Sequence, residues 1–241
     1  HTNMCSAASS SKILDAFKKA YLSDSKSAFG GIVLVNRKID SSLARILSKN
    51  FFEIIVASDF TNIAKEILSI KKNLILLKIK KYKKNNIEFK STLFGNLYQD
   101  KDNTIINKNF IKPMSIKTNS IKIIDDLIFS LKIVKHLKSN AIVLSKNKQT
   151  VGIGCGETNR VDAVRSALSK MKKLFSTKNF VCASDGFFPF VDSIELLKRS
   201  GCNAITQPSG SKNDYKVINY SIKHKMPLYF AKNRLFKHWK I

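Results

Sequence analysis

With 9 Gly, 4 Pro and 1 Trp in 241 residues, the chain is too poor in flexible and rigid breakers to be collagen-like, linker-like or low-complexity. Its four cysteines, Cys5, Cys155, Cys182 and Cys202, are far apart and form no C-x-x-C pair. That excludes a zinc knuckle or a disulfide framework and fits a reducing, cytoplasmic compartment. Long apolar runs are missing: Ile54-Ile55-Val56 and Leu74-Ile75-Leu76-Leu77 soon give way to polar residues, far short of the roughly 18 apolar residues of a membrane span. No signal peptide is visible. Neither H-x-E nor P-C-x-x-C occurs, so the zinc-deaminase constellation is excluded and no metal ligand set is read. The nucleophile elbow G-x-S-x-G is absent as well.

What remains is the composition of a folded protein, 44% apolar and 10% aromatic, long enough for one large domain or two small ones. Charge is lopsided: 43 Lys+Arg against 17 Asp+Glu give +26, a field that would favour a polyanionic partner. Lys supplies 37 of those cations and Arg only 6, whereas bidentate phosphate and guanine contacts favour Arg. Lys, Ile and Asn together make 85 residues, the enrichment left by A/T-rich codon drift. The charge therefore reads as a solvated surface, with weak, salt-sensitive and non-specific nucleic-acid binding expected of it.

Helical and strand periodicities alternate along the chain. Ile13, Leu14, Phe17, Ala20 and Tyr21 recur at helical spacing, Gly30 to Val35 reads as a buried strand, and Asp40-Ser41-Ser42 offers an N-cap for a helix through Asn50. A strand over Glu53–Ala57, a helix over 60–69 and a strand over 73–79 follow. The lysine run from Lys80 to Asn86 is the clearest break. Weaker β signals cover 87–118, and Ile121, Ile124, Leu127, Leu131 and Val134 predict an amphipathic helix ending near Ser139. Beyond it lie strands at 141–145, 150–154, 180–184, 203–207 and 228–231 and helices at 161–175, 192–200 and 214–223. The expected class is α/β, with halves at 1–119 and 120–241 joined by that helix.

Four segments carry chemistry. Gly152-Ile153-Gly154-Cys155-Gly156 stands between a strand and a helix, where glycines let a ligand approach the backbone; the spacing is not the dinucleotide fingerprint, and a plain tight turn is the equal alternative. Arg160 at that turn is well placed for an anion. In the segment from Ala183 to Asp192, three Phe surround a Pro, and Phe188 and Phe190 are read as filling the core beneath the next helix, with Asp185 a strand-end cap and Asp192 a helix N-cap. Gln207-Pro208-Ser209-Gly210-Ser211-Lys212 is a polar turn before a helix, an unspecific anion seat. The fourth, Asn233 to His238, gathers Arg234 and an imidazole beside the last strand, with a frayed basic tail as its bland equivalent. His136 and His224 read as surface residues.

Taken in order, these segments resemble one family, the formyltransferase domain of AICAR transformylase/IMP cyclohydrolase. The matching residues are His1-x-Asn3-x-Cys5, Ser27 to Gly31, Glu53, Gln99-Asp100, Lys138 to Val143, Gly152 to Val161, Ala183 to Phe190, Gln207 to Ser211 and Arg234-x-Phe236-x-His238. The resemblance implies transfer of the formyl group of 10-formyltetrahydrofolate to the 5-amino group of AICAR, a purine-precursor ribonucleotide. It implies a pair of cytidine-deaminase-like α/β subdomains without zinc, a homodimer with shared sites, and room for a structural monovalent cation. By position His1 is the catalytic base, Asn140 orients it and the AICAR carboxamide, and Gly30, Glu53, Phe187 and Arg234 contact AICAR. Arg160, Val161, Asp192, Ser211 and Lys212 fall at folate positions.

The family pattern Lys-His-x-Asn-Pro-Cys-Gly is only partly kept, since Met4 and Ser6 replace Pro and Gly, and Gly186 and Val191 replace Ala and Arg. The matching lysine would precede His1, as would the cyclohydrolase domain, so the reading expects a piece of a longer enzyme with little turnover of its own. The alternative is an inactive or truncated relative acting as a basic binding protein.

Overall fold

The structure, a computed structural model, describes residues 3–79 and 86–236. Its backbone divides into two compact units, Cys5–Lys83 and His1–Met4 with Lys84–Ile241. The division falls at the lysine run, whose residues 80–85 lie outside the described ones.

The smaller unit runs α1 (Ile13–Ser23), β1 (Gly31–Ile39), α2 (Ser41–Ser48), β2 (Phe52–Phe60), α3 (Asn62–Ser69) and β3 (Ile75–Lys78). The strands form one parallel sheet in the order β1-β2-β3. Helix starts follow the side chains that take up free backbone amides: Asp40 accepts from Leu43 N–H and Thr61 from Ala64 N–H. Strand alternation sends Val33, Val35, Ile55 and Leu76 into a core with Phe17, Leu43, Leu47 and Leu68. The opposite parity leaves Ile32, Leu34, Ile75 and Leu77 exposed on the bare face of the sheet.

The larger unit opens with a hairpin, β4 (Ile87–Thr92) and β5 (Gly95–Asp100), then β6 (Ile111–Pro113) and α4 (Ile121–Val134). It continues through β7 (Ile142–Lys146), β8 (Gln149–Gly154), α5 (Arg160–Leu174), β9 (Phe180–Ser184), α6 (Asp192–Arg199), β10 (Cys202–Pro208), α7 (Asp214–Lys223) and β11 (Leu228–Ala231). A six-stranded mixed sheet has the order β6-β11-β10-β9-β7-β8, with β9, β10 and β11 parallel and β6, β7 and β8 paired antiparallel.

Two layers of helix cover this sheet because its strands alternate apolar residues to both faces. Ile142, Leu144, Cys182 and Ile205 pack with Ala163, Ala167, Leu197 and Val217 of α5, α6 and α7. Val143 and Ala183 pack with Ile128, Leu131 and Val134 of α4, and Val181 with Leu127. Helix α4, read from the sequence as a joining element, thus covers one face of the larger unit's sheet and stops five residues short of Ser139. Residues 86–119 group with it, since β6 pairs with β11.

Candidate functional site

Strands β9, β10 and β11 run parallel, so their carboxyl ends open onto one edge of the sheet, where the chain must turn away and leave a crevice. Three loops leave that edge: 185–191 after β9, 209–213 after β10 and 232–236 after β11. Because β7 runs against β9 and β8, pairing Ile142 with both Ser184 and Gly154, the start of β7 and the end of β8 come to the same edge. Asn140 and Arg160 therefore meet the Asp185 segment although 45 residues separate Asn140 from Asp185 in sequence.

Arg160 is the centre. Its side chain is only 10% exposed. Nη1 donates to Ser184 Oγ at 3.0 Å and to the carboxylate of Asp185, and Nη2 donates to Asn140 Oδ1 at 2.8 Å. Asp185 is fully buried and lacks a partner for Oδ2 among the described residues. Sequence reasoning aimed Arg160 at an external anion and made Asp185 a strand cap; the protein supplies the anion itself. Asn140 donates from Nδ2 to the Glu157 and Thr158 carbonyls at 3.0 and 3.2 Å. Both its amide protons are engaged, and among the described residues one Oδ1 lone pair is left without a partner.

Phe187 and Arg234 lie on two neighbouring loops of this edge. The Arg234 guanidinium carbon sits 4.8 Å from the Phe187 centroid, and Arg234 itself is exposed. The 209–213 loop is held by Gly210 N–H donating to Asp214 Oδ2 at 2.8 Å and by Asn213 Nδ2 donating to the Pro189 carbonyl at 3.0 Å. Ser211 Oγ accepts from Asn213 N–H at 3.1 Å, while Lys212 is exposed. Val161, half-buried, occupies the first turn of α5. In the smaller unit Gly30, at φ +67°, lies near Phe51 and Glu53, a Cβ there reaching 3.2 Å from Phe51 Cε1 and 3.9 Å from Glu53 Oε1.

Several expectations are corrected. Gly152 and Gly154 do not cradle a ligand: a Cβ on either would run into the Ala167 or Ala163 carbonyl, so they let α5 lie close on β8. Gly156 N–H is not free for an anion, since it donates to the Lys138 carbonyl at 2.8 Å. Asp192 is not an N-cap: Val191 holds that position, and Asp192 Oδ1 accepts from Ser193 N–H at 2.6 Å within the first turn. Phe188 is buried as read, whereas Phe190 is 62% exposed because the turn at Pro189 sends it outward. His1 and His238 lie outside the described residues. Asn3, two residues after His1, accepts from Lys138 N–H at 2.7 Å, which seats residue 3 beside 138–140.

Among the described residues no group of three or more His, Cys, Asp and Glu side chains is arranged to hold a metal ion. All four cysteines are free thiols. Burial pushes Cys155 up, Cys182 well up and Cys202 to about 12, so the buried pair stays protonated and structural.

These features define an α/β domain with a polar and aromatic site at the carboxyl ends of parallel strands. The family model described as AICARFT/IMPCHase bienzyme matches residues 1–170, and the chain belongs to that family. Relatives are named bifunctional purine biosynthesis protein PurH. That of Caldicellulosiruptor saccharolyticus is 43% identical over 240 residues, covering 99% of this chain and 46% of the relative. Those of Fusobacterium nucleatum and Buchnera aphidicola are each 42% identical, with 99% of this chain and 47% and 46% of the relatives covered. The chain thus spans about half the length of the relatives it matches.

Proposed function

We propose that this chain carries the formyl-transfer half of the bienzyme's chemistry, moving the formyl group of 10-formyltetrahydrofolate to the 5-amino group of AICAR. The observation that carries the reading is the gathering of Asn140, Arg160, Phe187 and Arg234 at one sheet edge from four separate stretches of sequence, in a chain of this family. The AICAR amine shares its lone pair with the ring and carboxamide and is a weak nucleophile, so a base must take its proton as nitrogen attacks the formyl carbon. Nitrogen–carbon bond formation then accompanies cleavage of the folate N10–formyl bond, and tetrahydrofolate leaves with a proton on N10.

In this reading His1, by family resemblance, is the base. Phe187 walls the AICAR ring, and the exposed Arg234 pairs with its anionic end. Gly30 and Glu53, in the smaller unit, fall at AICAR-contacting positions by family resemblance alone. Val161, Asp192, Ser211 and Lys212 face the folate, Asp192 accepting from pterin N–H groups, and the buried Arg160, a folate position by resemblance, acts beside them by holding Asn140. The two α/β units are in keeping with a pair of cytidine-deaminase-like subdomains. The bare apolar face of the small sheet supports a homodimer, since contiguous apolar surface of that kind marks an interface. Free thiols support a cytoplasmic setting, and among the described residues no helix is long and apolar enough to cross a membrane.

Calorimetric titration with AICAR, followed by absorbance of tetrahydrofolate released from 10-formyltetrahydrofolate, tests the reading. Saturable AICAR binding lost in Arg234→Ala supports it; absence of AICAR binding overturns it. A ligand-binding monomer in sedimentation would remove the dimer.

A further inference from the structure

We propose that Asp185 is a positioning residue for this site, acting through Arg160 on Asn140. The inference rests on the formyl-transfer reading only for which ligand feels the effect. Three independent bonds make Asp185 the junction of the site. Its backbone N–H donates to the Ala141 carbonyl at 3.2 Å, next to Asn140, and its carbonyl accepts from Leu235 N–H at 3.0 Å, next to Arg234. Its carboxylate holds Arg160 Nη1, and Arg160 Nη2 in turn holds Asn140 Oδ1.

The chemistry of the groups explains why a carboxylate stands there. A guanidinium has five donors and no acceptor, and its near-complete burial demands a compensating charge. Of the described side chains hydrogen-bonded to Arg160, Ser184 and Asn140 are neutral, so among the described residues Asp185 supplies that charge. With Nη1 fixed between Ser184 and Asp185, the planar fork points Nη2 in one direction only, at Asn140. Asn140 then has its Oδ1 oriented from one side and its Nδ2 from the other by the Glu157 and Thr158 carbonyls. Gly186 belongs to the same seat: a Cβ there would overlap the Arg160 guanidinium and come 3.2 Å from Phe236 Cε1.

Two measurements on the whole chain test this. In the free protein, amide hydrogen exchange of the Asn140 side chain and of Arg160 Nε–H, read by nitrogen-15 NMR, should accelerate at least ~10-fold in Asp185→Asn. Unchanged exchange overturns the proposal. If Asp185→Asn fails to fold, Gly186→Ala, which keeps the carboxylate and crowds the guanidinium, must give the same acceleration. The second measurement is a double-mutant cycle on AICAR affinity. Asp185→Asn should weaken binding about 10-fold in the wild-type background and less than about 2-fold in Asn140→Ala, because coupled residues do not add. A purely structural role would leave the full effect in both backgrounds and would overturn the proposal. If the wild-type chain binds no AICAR, the formyl-transfer reading fails, and the exchange measurement decides the role of Asp185 by itself.

Discussion

Arg234 lies across the face of Phe187, its guanidinium carbon 4.8 Å from the ring centroid and 5.8 Å from that of Phe236. At an exposed site each such stack contributes on the order of 0.5–1 kcal/mol. Its larger effect is to hold a long side chain with its donors turned to solvent. Phe187→Leu should keep the apolar wall and weaken AICAR binding about 2- to 5-fold, as the lost stack implies. Arg234→Lys should weaken it more, about 10-fold or beyond, because an ammonium replaces a planar fork with a point charge. Melting temperatures should move little, and calorimetric titration reads both effects.

Gly154 and Gly156 look equivalent in sequence and should not behave alike. Gly154→Ala forces α5 away from β8, because the added carbon meets the Ala163 backbone. We expect a loss of about 1–3 kcal/mol or more from that overpacking. Gly156 has open space around its Cβ position and a φ of +75°, so Gly156→Ala should cost about 1 kcal/mol through the backbone alone. Urea unfolding followed by circular dichroism ranks them, and equal losses would contradict the packing role.

The β7–β8 turn depends on a buried carboxylate. Asp126, 5% exposed, accepts from Asn147 N–H at 2.8 Å and Lys148 N–H at 2.7 Å. Both turn residues hold positive φ, 55° and 54°, without being glycine. Two bonds to a charged acceptor can outweigh that backbone cost, so Asp126→Ala should destabilise by about 2–4 kcal/mol. Denaturant midpoints check this, and a loss below about 0.5 kcal/mol would refute it.

Burial raises the Cys202 thiol from an ordinary 9.0 to about 12. Between those values the unfolded chain has lost a proton that the native state keeps, so stability must fall as pH rises through the window, by up to about 1.4 kcal/mol per pH unit. Below about pH 9 the contribution is fully present. Urea unfolding at pH 8, 9 and 10 should show a shallower decline for Cys202→Ala than for the wild type. Parallel declines would mean that the thiol titrates freely in the native state.

Local signals made the elements legible. Asp40 announces its helix because an N-cap works within three residues. The strands β9 and β11 showed as short, largely apolar runs, as strands buried on both faces do. What stayed hidden depends on pairing between distant segments. Nothing near Gly152 and Gly154 says whether bare backbone faces a ligand or a helix; α5 decides. Asp185 read as a cap since its partner Arg160 is 25 residues away. Phe188 and Phe190 read alike because the turn at Pro189, not their hydrophobicity, determines which of them is covered. Phe187 and Arg234 stood in segments that local pattern singled out, but their AICAR roles, and Asn140 altogether, came from family likeness.

Strand β6 has only three residues, yet it and the chain just after it cover β11 from end to end. Lys112 pairs with Phe230, Met114 N–H donates to the Leu228 carbonyl at 2.9 Å, Ser115 Oγ bonds Leu228 N–H at 2.8 Å and the Met226 carbonyl at 2.6 Å, and Thr118 N–H reaches the Tyr229 hydroxyl at 3.0 Å. A polypeptide begun at residue 120 would strip this cover from Leu228-Tyr229-Phe230-Ala231. Four apolar residues would then present unpaired amides and carbonyls along a sheet margin, a template on which further chains add strand by strand. Such a piece should form insoluble aggregate where the whole chain does not, and Pro113, which offers no amide of its own, is the natural stop against that growth.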